Sequence, residues 1–230
     1  LIGTLFASYL AVASLCSAST YAGMLQVGFA ELPITPPVID EWVDVNDDAQ
    51  FDPDIDTWTD INGNGVFDPV WIAGFQKGRA AQGIKDDLMA VAVVIDDGDQ
   101  RMAVVAVDTI GLMRKFVLDV RQSTNKEWGL DHLMIHATHN HEGPDTQGLW
   151  GPGLFESGVD HDYMRELKGS ILSVVETAIG NLEPAEMSIA RIATDPRTPI
   201  KDKRKPIVID EDIRALLFRR PDQSVIGTVV

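Results

Sequence analysis

Five histidines are spread over 230 residues, and three of them, His136, His139 and His141, fall within six consecutive positions. They belong to the stretch Met134-Ile135-His136-Ala137-Thr138-His139-Asn140-His141-Glu142-Gly143-Pro144-Asp145. An apolar run from Leu133 leads into it and reads as a buried strand, and the Gly-Pro pair stops regular structure. In an extended segment side chains repeat every two residues, which puts His139 and His141 on one side. Two imidazoles at a strand's exit make half of a zinc-type site, or a ligand beside a general acid/base. Alone, a His-x-His is explained equally well by polar residues gathering where a strand leaves the core.

The elements that must position these residues lie just upstream. Leu88 to Ile95 is an apolar, β-branched run, Asp96-Asp97-Gly98-Asp99 a turn, and Met102 to Val107 a second run ending at Asp108. These are the signals of a hairpin. From Leu112 to Trp128 the pattern changes, with Phe116, Val117 and Val120 set among charges. It predicts a helix of about four turns stopped by Gly129. The next strand is Leu133 to Ala137. Strand, helix and strand of this length imply a right-handed parallel crossover. Asp108 and His139 then stand at the carboxyl ends of neighbouring parallel strands, where open α/β sheets bind ligands. They are expected to share a solvent-filled pocket. The fold class expected is α/β, a mixed β-sheet with flanking helices.

The segment Ala137-Thr138-His139-Asn140-His141-Glu142-Gly143-Pro144 resembles the Thr-His-Thr-His-Ser-Gly-Pro signature of neutral/alkaline, non-lysosomal ceramidases. These are zinc amidohydrolases that cleave N-acyl-sphingosine. Val27-Gly28-Phe29-Ala30-Glu31 through Ile34-Thr35-Pro36-Pro37 is similar to that family's opening strand, and Gly83-Ile84 through Val107-Asp108 to its first hairpin. The resemblance implies that His139 is a zinc ligand, that His141 is a catalytic neighbour of the metal, and that Arg197 contacts the substrate or its developing oxyanion. Asp108 joins them as a candidate catalytic residue from its place at the strand end. The resemblance also implies a lipid-like substrate met at a membrane surface. Asn140 and Glu142 replace small hydroxyl residues, and Asp145-Thr146-Gln147 stands where the family has glycines. These positions are expected to face the pocket, so the departures bear on the substrate.

Between Val38 and Pro69 there are ten acidic residues and no basic one. Trp42 to Pro53 and Trp58 to Pro69 repeat each other with a period of 16. Asp44, Asn46, Asp48 and Asp52 in the first copy match Asp60, Asn62, Asn64 and Asp68 in the second. That spacing lets a tight loop wrap oxygen ligands around Ca²⁺, and Gly65 supplies the sharp turn at position six. The first copy has Ala49 where glycine is wanted, so the second is the better loop. Trp42, Phe51, Trp58 and Phe67 are its aromatic anchors, and no helical pattern flanks either copy. The expectation is a structural calcium-binding insertion; a disordered acidic insertion is the bland alternative.

The formal charge of −16 argues against nucleic acid and against electrostatic binding to anionic membranes. Residues 1–30 carry no charge, and 1–22 read as a secretory signal peptide without its start, which implies a secreted, periplasmic or cell-surface protein. Cys16 lies inside it and is the only cysteine, so thiolate ligands and disulfides are not expected in the mature chain. Residues 70–87 have loop character. Gln147 to Gly158 is Gly-rich and reads as a mobile lip over an apolar pocket or as a long connection. A helix capped by Asp160 or Asp162 follows, with the stripe Met164, Leu167, Ile171, Val174, Val175, Ala178 and Leu182, ended by Gly180-Asn181. His161 reads as a capping or surface residue. Met187 to Ala193 is a strand, Arg197 to Lys205 a basic loop, and Ile213 to Phe218 with Val225 to Val230 a hairpin. The absent initiating Met and the stop inside an apolar strand suggest an incomplete catalytic domain, 23–230, from a longer hydrolase. A metallo-β-lactamase-like site fits less well, because Gly143 and Pro144 stand where Asp and His are needed. An amidohydrolase barrel would carry its His-x-His on the first strand. A non-catalytic calcium-binding surface protein that keeps the fold is the remaining alternative.

Overall fold

The structure, a computed structural model, describes residues 25–38, 40–193 and 202–230. The expected leader over 1–22, with Cys16, lies outside them, and so does Arg197. Two compact units are present: Gln26–Glu183, and a smaller one formed by Pro184–Val230 with Leu25.

In the larger unit β1 (Gln26–Pro33), β4 (Met89–Asp96), β5 (Arg101–Val107) and β6 (His132–Ala137) stand in the order β6-β5-β4-β1. β1 pairs with β4 and β4 with β5 antiparallel, while β5 and β6 run parallel. This is the mixed α/β sheet that the alternation of runs predicted, crossover included. Ala90, Ala92 and Val94 of β4, and Ala103, Val105 and Val107 of β5, are fully buried at every second position, as a period-two strand requires. They pack with Leu167, Ile171, Val174, Val175 and Ala178 of α2 (His161–Gly180). Each such Val, Leu or Ile side chain contributes about 1.5–3 kcal/mol on leaving water. The approach is close enough that a Cβ at Gly28 of β1 would lie 2.0 Å from the Ala178 carbonyl oxygen. Asp160 caps α2, its carboxylate accepting from the Asp162 and Tyr163 N–H groups. Burial drives the pKa of the Tyr163 phenol up.

The helix expected over Leu112 to Trp128 is two pieces. α1 (Arg114–Gln122) ends at Ser123, and a separate 3₁₀ turn covers Lys126–Trp128 with Gly129 left-handed behind it. The break has a local cause. The Ser123 and Thr124 hydroxyls donate to the Asp119 and Arg121 carbonyls, and the Asn125 side chain accepts from Glu127 N–H. Such side-chain bonds offer the backbone an alternative to continuing the helix. α1 is tied to β6 through Arg121 Nε to the Leu133 carbonyl, and to α2 by Lys168 with Asp119.

The acidic insertion is folded, not disordered. β2 (Glu41–Val43) and β3 (Thr57–Thr59) pair antiparallel with Trp42 opposite Trp58, its own repeat partner. Phe51 and Phe67, also repeat partners, have ring centroids 3.9 Å apart. Asp44 accepts from the N–H groups of Asp48 and Ala49, and Asp60 from those of Asn64 and Gly65. Two buried carboxylates cross between the copies. Asp40 accepts from Ile61 and Asp68 of the second loop, and Asp56 from Val45 and Asp52 of the first. Since 56, 61 and 68 follow 40, 45 and 52 by the 16-residue period, the insertion has an internal twofold symmetry. Ala49 takes φ 60° where Gly65 takes 77°, so the copy without glycine follows the same path.

In the smaller unit β8 (Glu186–Ala193), β9 (Asp212–Arg219) and β10 (Val225–Val229) form an antiparallel sheet in the order β10-β9-β8, as the strand and hairpin pattern predicted. A two-residue strand, β7 (Glu183–Pro184), marks the boundary between the units.

Candidate active site

Asp108 directly follows β5, and Thr138 and His139 follow β6, so the parallel pair delivers all three to one end of the sheet. The Asp108 carboxylate accepts from Thr138 Oγ1 at 2.9 Å and from Met89 N–H at 2.9 Å. It therefore braces the two strand exits against β4. The Thr138 N–H bonds to the Val107 carbonyl and the Asn140 N–H to the Thr109 carbonyl, which keeps the outgoing chain against the β5 exit.

His139 and His141 do come together, but not by the extended geometry expected. β6 ends at Ala137, and His139 has φ 64°. The left-handed residue turns the chain and brings the two rings to a centroid distance of 4.9 Å, with Nε2 atoms 3.3 Å apart. His139 Nδ1 lies 2.8 Å from the Ile110 carbonyl. A carbonyl only accepts, so Nδ1 carries the proton and Nε2 presents a lone pair.

Several residues that sequence reasoning passed over as loop hold His141. Its ring lies against Phe75, with centroids 5.0 Å apart. Gly74 has φ 118°, and a Cβ there would sit 2.5 Å from His141 Cγ, so a side chain is excluded on two counts. Arg79 donates to the His141 carbonyl, pairs with Glu142 at 2.8 Å and lies 5.2 Å over the Phe75 ring. The one available signal was a Gly-aromatic pair followed closely by the chain's first basic residues.

A cavity of about 640 Å³ opens beside this segment, lined by Asp108, Thr138, Asn140, Glu142 and Pro144 among others. His139 and His141 are not among its lining residues, so Asp108 and the histidines do not share this pocket. Asn140 and Glu142 face it as expected, whereas Asp145 does not. Asp145 is buried, and its carboxylate accepts from the N–H groups of Gln147, Gly148, Trp150 and Gly158. It organises the Gly-rich loop from within. Thr146 is buried too and donates to the Gly111 carbonyl.

His139 and His141 are the two imidazoles that converge, and among the described residues no group of three or more His, Cys, Asp or Glu side chains is gathered as a metal ion would need. Among the described residues no helix is long and apolar enough to cross a membrane.

Comparison with protein-family models and with curated proteins gives no match. Among solved structures the chain is similar to the neutral ceramidase from Pseudomonas aeruginosa, with a TM-score of 0.62 and 17% identity over 89% of this chain and 31% of that one. It is also similar to a ceramidase complexed with C2, with a TM-score of 0.61 and 18% identity over 89% of this chain and 30% of that one. The chain thus spans about a third of the length of these neighbours, and it has a ceramidase-like fold.

Proposed function

We propose that the chain is the amino-terminal part of the catalytic domain of an exported, zinc-dependent hydrolase that cleaves the amide C–N bond of an N-acyl, sphingolipid-like substrate. The observation that supports it most is the His139–His141 pair, with Nε2 atoms 3.3 Å apart at the exit of a parallel strand pair in a ceramidase-like fold. Of the donors a zinc ion would need, His139 is the one these residues supply. His139 presents an Nε2 lone pair, and the Ile110 carbonyl on its other nitrogen is the usual outer partner of a ligating imidazole. Further donors, to make the three or four that zinc takes, would come from residues other than those described. Zinc would supply polarisation of the acyl carbonyl and a bound water with pKa lowered to about 7. His141, held by Gly74, Phe75 and Arg79, would carry the proton passed to the departing amine. Asp108 would keep Thr138, and through it the His139 turn, in register. Arg197 would contact the acyl oxygen. Residues 1–22 would direct export.

In the full-length protein His139→Ala is expected to abolish both zinc retention and hydrolysis of a fluorescent N-acyl amide lipid. His141→Ala is expected to keep the metal and lose most of the rate, because a group acting only as charge moves contributes in the transition state alone. Metal analysis and the assay on both variants decide it. Full zinc and full activity in His139→Ala would overturn the reading.

The insertion would hold structural Ca²⁺ through Asp44, Asn46, Asp48 and Asp52, and through Asp60, Asn62, Asn64 and Asp68. Support comes from the oxygen spacing and the backbone path that both copies share. Calorimetric titration should show at least one site, weakened in Asp60→Ala; an absence of heat and of thermal stabilisation by Ca²⁺ would sink it.

A further inference from the structure

Four large apolar side chains face solvent: Phe75, whose ring lies against His141, is 61% exposed, and on a loop bonded to its own, Phe155 is 100% exposed, Leu154 79% and Leu149 54%. They come from two loops that are clasped together. Gly78 N–H donates to the Gly151 carbonyl at 3.0 Å, and Trp150 Nε1 to the Phe75 carbonyl at 3.1 Å. Lys77 Nζ lies 3.2 Å from the Leu154 carbonyl and 3.4 Å from that of Gly153. Asp145, through its four backbone N–H partners, fixes the base of the second loop. The backbone that carries these side chains is therefore braced, and little backbone entropy remains to be lost when they meet a partner.

From this arrangement we infer that the tip formed by Phe75, Leu149, Leu154 and Phe155 inserts into a zwitterionic lipid surface and brings the histidine pair to a substrate held there. The inference rests on the proposed hydrolase reading for its purpose, but not for its physics. Three observations select this occupant. Thr146 to Phe155 carries no charge, in a chain that is 23% charged, so the one charge of the second loop is the exposed Glu156 that follows Phe155, which can stay at headgroup level while the side chains before it enter. Lys77, the one cation of the clasp, has its ammonium turned onto backbone carbonyls, which satisfies groups that would be costly to bury bare. The formal charge of −16 disfavours anionic lipid and leaves neutral lipid as the surface that an apolar tip can approach. Phe75 belongs to the tip and also stacks on His141, so insertion places the histidines at the edge of the lipid.

The test uses the full-length protein and phosphatidylcholine vesicles, read by co-sedimentation. The wild type is expected to bind, and Leu154→Ser with Phe155→Ser to lower the partition coefficient about tenfold or more. Both side chains are exposed, so folding is not at stake; Val208→Ser, at an equally open position in the other unit (76% exposed), should bind like wild type. Hydrolysis of a long-chain N-acyl amide presented in vesicles should fall in the double variant, while that of a short-chain monomeric amide stays unchanged. No binding of the wild type to neutral vesicles, binding to anionic vesicles alone, or undiminished binding by the double variant would each overturn the inference. If neither amide is hydrolysed by any form, the hydrolase reading fails while the sedimentation result still decides the insertion.

Discussion

In the acidic insertion the carboxylates of Asp40, Asp44, Asp56 and Asp60 each accept backbone N–H groups of their own module. In the histidine segment His139 and His141 turn ring nitrogens on each other, and only one of those rings has a backbone partner. The insertion is rich in potential ligands, yet most of its order is accounted for by the loops bracing themselves. The histidine segment is poor in ligands, yet it holds a nitrogen lone pair and a second imbalance, a ring packed where no side chain fits opposite. Density of charged residues thus marks self-supporting structure as readily as a ligand site, while a left-handed residue beside converging rings is the sharper pointer to a candidate site.

The largest test of that contrast is Gly74→Ala. A methyl group would sit 2.5 Å from His141 Cγ at φ 118°, so the ring must move. Hydrolysis by the full-length protein should fall about a hundredfold, as for an angstrom-scale misplacement of a catalytic group, with zinc content retained. Unchanged turnover would mean that the position of His141 is immaterial.

The crossed carboxylates of the insertion give a smaller effect. Asp40→Asn should speed amide hydrogen exchange at Ile61 and Asp68, and Asp56→Asn at Val45 and Asp52, each variant loosening the copy it does not belong to. The N–H groups of Asp68 and then Ile61 hold the Asp40 carboxyl below the usual carboxylate range. A lowered folded-state pKa means that this stabilisation is complete above the ordinary value of about 4 and is lost as pH falls through the lowered one. Acid should therefore open the second loop in the wild type, and Asp40→Asn should blunt that response. Exchange confined to the mutated copy would break the twofold description.

The smallest effect is at Ala49. With φ 60° the residue bears the left-handed cost that glycine escapes, offset by glycine's greater freedom when unfolded. Ala49→Gly should raise thermal stability by about 0.5 kcal/mol and make the two loops alike in Ca²⁺ titration.

Much of the fold was legible because it is written in periods. Alternation in β4 and β5, the stripe of α2 and the 16-residue repeat all survived into structure with nearly the expected bounds. The helix from Leu112 to Trp128 did not, because Ser123, Thr124 and Asn125 hold local hydrogen bonds that outweigh a weak apolar face. At the candidate site the sequence placed Asp108, His139 and His141 at one end of the sheet, but for the histidines by the wrong geometry. A single left-handed residue, His139, is invisible to a period-two argument. Gly74, Phe75 and Arg79 were missed because they reach His141 across more than sixty residues of chain, and nothing local in a loop announces a contact at that separation. Asp145 looked like a pocket residue because it is polar beside the histidines, and its burial with four backbone partners is a tertiary fact.

The exchange of braces in the insertion also bears on how such a module can be gained or lost. Because Asp40 serves the second copy and Asp56 the first, deleting either copy leaves the survivor with both a stranded carboxylate and two unpaired backbone N–H groups. The module is therefore expected to unfold as one cooperative unit, and a truncated half to lose its order. A solitary copy could satisfy the same groups only by pairing with its twin from a second chain, so the insertion has the geometry of a homodimer written twice into one polypeptide.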